Sequence, residues 1–239
     1  MTPKNEKIKA SVIIPAYREA EMIGDTLDSL EGQNAEIIVV AYGEETREIA
    51  QNHTACDRVL EDKGEGPSAA RNKGAEAAEG EILVFTDADT LATENWVEKH
   101  LQHYSDSDVV CVGGTAEARE NGFRSIISDL YAMHLLPVIW KAGPNLLIGN
   151  NCSFRKKDFL KIGGFNTEMD FLEDVEIAQR ISDRGRVVLD MDIATRASIR
   201  RIKDEGVISM VFTYCKGFWN YFLTSGEPNE KYHRNELHD

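Results

Sequence analysis

The chain has 239 residues and a mass of 26.8 kDa, enough for one large domain, or one domain with a small appendage, and for a substantial apolar core; a disulfide-stapled miniature scaffold is excluded. With 42% hydrophobic and 28% charged residues, its composition is that of a soluble globular protein, not of a disordered or collagen-like one. Lys and Arg number 27 against 41 Asp and Glu, a net charge of −14, which argues against nucleic acid as a partner while leaving room for a local basic patch that handles a phosphate.

The opening run Ala10-Ser-Val-Ile-Ile-Pro is short, β-branched and closed by proline, which predicts a buried parallel strand ending at Pro15. From Glu19 to Leu30 the apolar positions Met22, Ile23, Leu27 and Leu30 recur at helical spacing, with Gly32 placed to end the helix. Glu36-Ile-Ile-Val-Val-Ala-Tyr predicts a second buried strand, followed by a helix starting near Glu44. Asp57 to Glu61 reads as a third strand, Pro67 to Ala78 as an alanine-rich helix, and Glu81 to Thr86 as a fourth strand. This alternation predicts an α/β fold with a mainly parallel, doubly wound sheet flanked by helices. After Thr90 the rhythm changes to a helix near Glu94 to His103, a strand at Asp108 to Gly113, an apolar helix around Phe123 to Lys141, a strand near Leu146 to Phe154, a helix from Glu173 to about Arg184 and a strand-like Ala194 to Ile199. That half predicts a mixed sheet with inserted helices.

Cys56, Cys111, Cys152 and Cys215 are scattered and form no CxxC pair, so neither a zinc cage nor a disulfide framework is expected. No apolar stretch precedes Ala10 and no window reaches about 18 apolar residues, so no secretory leader and no membrane span are expected; the reading is of a cytoplasmic protein. Val207 to Leu223 is aromatic and amphipathic, suited to packing on the core or on a second subunit as a homodimer, with peripheral contact at the inner face of a membrane as the other reading.

In an open sheet of this kind ligands bind beyond the carboxyl ends of the strands. Asp87-Ala-Asp89 stands there, directly after an apolar strand, where both carboxylates could reach one divalent ion; all-oxygen ligation suits magnesium or manganese. A solvated turn is the plain alternative. Glu173, Asp174 and Glu176 open a helix, where the dipole favours negative charge, and one of them could equally serve as general base to a substrate hydroxyl. Gly64 to Asn72 forms a glycine-containing turn into a helix, with Arg71 able to face a pyrophosphate or to make an ordinary surface ion pair; neither a Walker loop nor a GxGxxG fingerprint is present. Arg200-Arg201 forms a second cationic pair. His100 and His103 have no nearby third ligand, and no serine has a GxSxG setting.

In order and spacing, Val12-Ile-Ile-Pro-Ala-Tyr-Arg-Glu, Gly66-Pro-Ser-Ala-Ala-Arg-Asn-Lys-Gly74, Phe85-Thr-Asp-Ala-Asp-Thr90, Gly163-Gly-Phe165 and Glu173-Asp174 resemble family 2 glycosyltransferases of the GT-A fold, over roughly Ser11 to Arg201. The resemblance implies an inverting transferase that uses a nucleotide-diphosphate sugar of UDP or GDP type and a divalent cation, with a carbohydrate or lipid-linked acceptor. It implies a domain over 1–204, its nucleotide-sugar half at about 10–115 and its acceptor half at about 116–204, followed by a C-terminal segment at 205–239.

By position, Pro15, Ala16, Tyr17 and Glu19 would border the base and ribose, Ala41 would stand at the base, and Arg71 would lie near the ribose or diphosphate. Asp87 would approach the ribose and, with Asp89, the metal, with Ala88 between them. Asp174 would be the base, beside Glu173, and Arg200 or Arg201 would add charge at the leaving group. Gly149, Asn150 and Asn151, with Gly164 and Phe165, would wall the donor-sugar and acceptor cleft. Two departures stand out. Ala41-Tyr-Gly replaces an aspartate that reads the base in many members, and Thr195-Arg-Ala-Ser-Ile-Arg-Arg lacks a histidine that serves as a further metal ligand. These departures motivate the alternative of a non-catalytic nucleotide-sugar-binding or partner-binding protein of the same fold. The absence of a QxxRW signature argues against a processive synthase.

Overall fold

The computed structural model of the chain describes residues 10–120, 145–169 and 172–200. The expected segments Phe123 to Lys141 and Val207 to Leu223, together with Arg201 and Cys215, lie outside the described residues. Eight strands, β1 (Ala10–Tyr17), β2 (Glu36–Tyr42), β3 (Arg58–Glu61), β4 (Ile82–Phe85), β5 (Thr90–Ala92), β6 (Val109–Ala118), β7 (Cys152–Arg155) and β8 (Arg186–Ala197), form one sheet in the order β3-β2-β1-β4-β7-β6-β8-β5. Six helices are described: α1 (Ile23–Leu30), α2 (Glu44–Asn52), α3 (Pro67–Ala77), α4 (Trp96–His103), α5 (Lys156–Lys161) and α6 (Glu173–Ser182).

The continuous apolar run of β1 is explained by helices on both faces, since successive side chains point to opposite sides. Val12, Ile14 and Ala16 join a core with Ile23 and Leu27 of α1 and Trp96 and Val97 of α4. Ile13 joins the other core, with Ala70 and Ala75 of α3 and Ile177, Ala178 and Ile181 of α6. Strands β1 to β4 pair in parallel, as the alternation predicts. Beyond β4 the pairing becomes mixed: β7 is antiparallel to β4 and β6, β6 is parallel to β8, and β8 is antiparallel to β5. The mainly parallel half with a mixed half beyond it is therefore observed.

Several boundaries differ from expectation for identifiable reasons. β1 continues past Pro15 to Tyr17, because β4 pairs only as far as Ile13 and the missing N–H of Pro15 falls where that neighbour has ended, while pairing with β2 persists. β8 begins at Arg186, not Ala194; Asp190 and Asp192 mask an apolar alternation in a largely half-buried strand, and register shifts interrupt its pairing with β6. Of the expected strand Leu146 to Phe154 only the part from Cys152 is strand, the preceding residues forming a turn over the sheet edge. The short elements β5 and α5 carry too few residues for a periodic signal.

Reversal of strand order at β1 and β4 makes a topological switch point, and the loops that leave their carboxyl ends gather there.

Candidate functional site

Three segments distant in sequence meet on Arg71 of α3. Its Nη2 donates to Asp87 Oδ1 at 2.8 Å and its Nη1 to Glu173 Oε1 at 2.9 Å. The guanidinium carbon lies 5.4 Å from the Phe165 ring centroid, and a Cβ added at Gly149 would stand 3.3 Å from Nη2. The side chain is 5% exposed, against 36% for Asp87 and 15% for Glu173, so the cation lies under the site and is not a surface arginine. Burial disfavours its charge, but Asp87 and Glu173 outweigh that and hold it protonated.

Asp174 is adjacent. Its Oδ2 accepts from Gly149 N at 3.1 Å and its Oδ1 from Val175 N at 2.8 Å. Burial first, then the neighbouring Glu173 charge, push its carboxyl up to about 7, against the opposing pull of Arg71 and the two N–H groups. Leu172 caps α6 at φ +61, a left-handed conformation costly for leucine, and its buried side chain fixes the direction in which Glu173 and Asp174 leave the turn.

The second carboxylate of the Asp87-Ala-Asp89 turn faces another cation. Arg200 Nη2 lies 2.7 Å from Glu19 Oε1 and 4.0 Å from Asp89 Oδ2. Burial, then Asp87 and Glu19, push the Asp89 carboxyl up to about 6 despite Arg200 and Thr90. Glu19 Oε2, Arg71 Nε, Thr86 Oγ1 and Asn150 Oδ1 are buried without a hydrogen-bond partner among the described residues. Each belongs to this edge: Thr86 precedes Asp87, and Asn150 Nδ2 lies 3.5 Å from Thr90 Oγ1. A cluster of unsatisfied polar atoms is the mark of a surface shaped for a ligand. Asp87 and Asp89 offer partly exposed carboxylate oxygens, which fits a hard divalent cation.

At the β1 and β2 ends, Tyr17 and Tyr42 are register partners whose rings stack 4.5 Å apart at 11° from parallel, with the Arg18 guanidinium 5.8 and 5.9 Å from their centroids. Gly64, at φ +77, passes close to Tyr42, where a Cβ would stand 3.2 Å from the ring.

The expected residues divide into those at this edge and those that support it. Arg71 gathers Asp87 and Glu173 beside Asp174 and Gly149, Arg200 faces Glu19 and Asp89, Asn150 meets Thr90, and Tyr17 stands at the β1 end with Pro15 half-buried before it. Ala16, Ala41 and Ala88 are buried; Ala16, Ala41 and Ala88 point into the core beside α1, so Ala41 does not stand at a base, and its neighbour Tyr42 presents a ring instead. Asn151 is not a cleft residue: its Oδ1 accepts from Trp96 Nε1 and meets His100 Nε2, and its Nδ2 donates to the Thr115 and Ile193 carbonyls, all within the core. Phe165 packs with Phe85, Phe154 and Phe159, and Gly164, at φ +72, leaves room for Asn72, whose amide bonds both backbone atoms of Phe165. Both residues support Arg71 and do not line a cleft. Tyr42 is the residue that sequence reasoning overlooked; its place at the end of a strand, in register with Tyr17, is the signal that could have found it.

Residues 11–163 match the model of glycosyl transferase family 2. The chain is 40% identical over 118 residues to glycosyltransferase AglE of Haloferax volcanii, covering 45% of this chain and 39% of that protein. It is 27% identical over 187 residues to the glucosyl-dolichyl phosphate glucuronosyltransferase of the same organism, covering 67% of this chain and 56% of that protein. The chain thus spans about half the length, or less, of these curated relatives. Among solved structures, the mannosyltransferase PcManGT from Pyrobaculum calidifontis, in complex with GDP-Man and Mn2+, superposes with TM-score 0.71 at 20% identity over 95% of this chain and 67% of that one. S. aureus TarS 1–349 in complex with UDP-GlcNAc gives 0.62 at 18% identity over 81% and 59%. These structural likenesses establish the GT-A type of fold.

Proposed function

The chain belongs to glycosyl transferase family 2, and from that premise we propose that it moves a sugar from a nucleoside-diphosphate sugar to an acceptor hydroxyl, with inversion, Asp174 acting as base. The observation that carries the reading is the continuous link Asp87–Arg71–Glu173, which joins the carboxylate turn after β4 to the helix start that bears Asp174 on one sheet edge.

Inversion is one in-line displacement through an oxocarbenium-like state, so one carboxylate must accept the acceptor proton while the diphosphate leaves. Asp174, with a proton affinity raised to about 7, is matched to that task near neutral pH, and the Gly149 and Val175 N–H groups fix its orientation. Arg71 does not touch the diphosphate on this reading; it holds Asp87 and Glu173 in place from below. Arg200 supplies positive charge at the mouth, beside Asp89. The Tyr17–Tyr42 stack offers a flat platform for the nucleobase. Asp87 and Asp89 would hold magnesium or manganese, which when bound supplies Lewis-acid neutralisation of charge on the diphosphate.

The nucleotide sugars bound by the mannosyltransferase and by TarS support a nucleotide-sugar donor, and the mannosyltransferase's Mn2+ supports the cation. The dolichyl phosphate in the name of one relative supports a lipid-linked acceptor. No helix among the described residues is long and apolar enough to cross a membrane. Titration calorimetry with UDP and GDP, each with and without Mn2+, tests the proposal: metal-dependent nucleotide binding is expected, together with sugar transfer or donor hydrolysis that Asp174→Asn abolishes while binding persists. Absence of nucleotide binding under all four conditions would overturn it.

A further inference from the structure

The loop after β1 is fastened to the Asp87-Ala-Asp89 turn. Thr26 Oγ1 of α1 donates to the Ala88 carbonyl at 2.8 Å, the Glu19 carbonyl accepts from Met22 N and Ile23 N at 3.1 and 2.9 Å, and Arg18, at φ +53, donates its N–H to the Tyr42 carbonyl at 2.9 Å. These contacts fix the backbone from which the Glu19 side chain leaves. They bring it to the same guanidinium nitrogen that Asp89 faces, Arg200 Nη2, at 2.7 Å against 4.0 Å for Asp89. Only one Glu19 oxygen is used: Oε2 is buried and has no partner among the described residues. A carboxylate oxygen withdrawn from water without a donor is unfavourable, and a cation placed between it and Asp89 would remove that penalty.

The segment from Thr195 to Arg200, which runs beside Asp89 through the Ser198 N to Asp89 O hydrogen bond of 3.2 Å, contains no imidazole or thiol. Among the described residues, Glu19 brings a further carboxylate to the guanidinium that Asp89 faces, from the loop after β1. Building on the metal reading above, we propose that Glu19 is the additional oxygen ligand of the divalent cation held by Asp89, and that Arg200 occupies the cation's seat in the ion-free protein. An oxygen-only set of Asp87, Asp89 and Glu19 suits Mn2+ or Mg2+ and leaves positions for diphosphate oxygens. Displaced from the two carboxylates, the Arg200 guanidinium becomes available to the anionic leaving group.

A competing candidate is weaker on chemical grounds. Asp28, Glu31 and His53 bring three ligand atoms within 4.8 Å of one another at the surface. There, however, His53 Nδ1 accepts the Ala55 N–H at 3.2 Å, which puts the ring proton on Nε2, facing Asp28 Oδ1 at 3.0 Å. That set is a hydrogen-bonded pair with an acidic neighbour. Asp87, Asp89 and Glu19 do not lie within that spacing of one another; Glu19 Oε1 and Asp89 Oδ2 both face Arg200 Nη2.

The test is Mn2+ binding to the full chain, without nucleotide, read from the electron paramagnetic resonance signal of free Mn2+. Circular dichroism melts establish that each variant is folded. Glu19→Gln is expected to weaken Mn2+ at least tenfold, comparably to Asp89→Asn, and Arg200→Met to tighten it several-fold by removing the competing cation. Unchanged affinity in Glu19→Gln, with affinity lost in Asp89→Asn, overturns this assignment and leaves the metal reading intact. Unchanged affinity in Asp89→Asn overturns both. Should Glu19→Gln not fold, Arg200→Met decides: no gain in Mn2+ affinity overturns the assignment.

Discussion

Asp174→Asn should make the protein more stable while disabling it, and by an amount that depends on pH. In the folded chain the Asp174 carboxyl is pushed up to about 7 from an ordinary 3.8, by burial and then by Glu173. A carboxyl whose folded value is raised binds its proton more tightly folded than unfolded. Stability is therefore greatest at low pH for this group, declines as pH rises from about 4 through about 7, and is constant above that. The interval is about three pH units at about 1.4 kcal/mol each, so relative to low pH this group lowers stability by roughly 4 kcal/mol at pH 8.5, and by roughly 2 kcal/mol at pH 5.5, where the unfolded chain has ionised and the folded carboxyl has not. Asparagine carries no charge but has one acceptor oxygen for the two N–H groups of Gly149 and Val175, a loss of about 1 kcal/mol. The variant should thus gain about 3 kcal/mol at pH 8.5 and about 1 kcal/mol at pH 5.5, or about 6–12 °C and 2–4 °C in melting temperature for a chain of this size. Thermal unfolding of both proteins at the two pH values measures the difference, and titrating groups other than the neighbouring Glu173 cancel between them. Sugar transfer should fall by about 100-fold or more, the usual contribution of a general base. An equal shift in melting temperature at pH 5.5 and 8.5, or a less stable variant at pH 8.5, would refute the electrostatic reasoning.

Arg71→Met should destabilise the fold by about 3 kcal/mol, the lower end for breaking buried ion pairs because Asp87 keeps some solvent, as read by urea denaturation; Arg71→Lys should not restore it, since one ammonium lacks the planar fork that spans both carboxylates. His100, which burial lowers to about 4 from 6.5, should make the protein acid-sensitive: the unfolded chain takes up that proton first, so about 3 kcal/mol of stability present above pH 6.5 is lost as pH falls to 4, measurable by denaturant titration across that range. Asn151→Ala should cost about 3 kcal/mol by leaving the buried Trp96 indole without its acceptor and removing a donor from the Thr115 and Ile193 carbonyls, yet leave nucleotide affinity of the folded protein unchanged in calorimetry.

The sequence by itself determined the elements whose pattern is local. β2 starts and ends where the apolar run predicts, α2 begins at the acidic Glu44, α3 begins at Pro67, and α1 ends ahead of Gly32 at φ +76. The position of Asp87-Ala-Asp89 at a strand end, and of Glu173-Asp174 at a helix start, follows from the same patterns. Strand β8 escaped because Asp190 and Asp192 interrupt the apolar pattern of a largely half-buried strand. Contacts between distant segments were decided only by the tertiary structure, because they depend on how crossovers stack the sheet and not on any residue's neighbours in sequence. Arg71 finds Glu173 across 102 positions, and Arg200 finds Glu19 across 181. Neighbours also part company: Asn150 stays at the site while Asn151 turns into the core to hold Trp96 and His100, a division set by which way each side chain points as the chain enters β7.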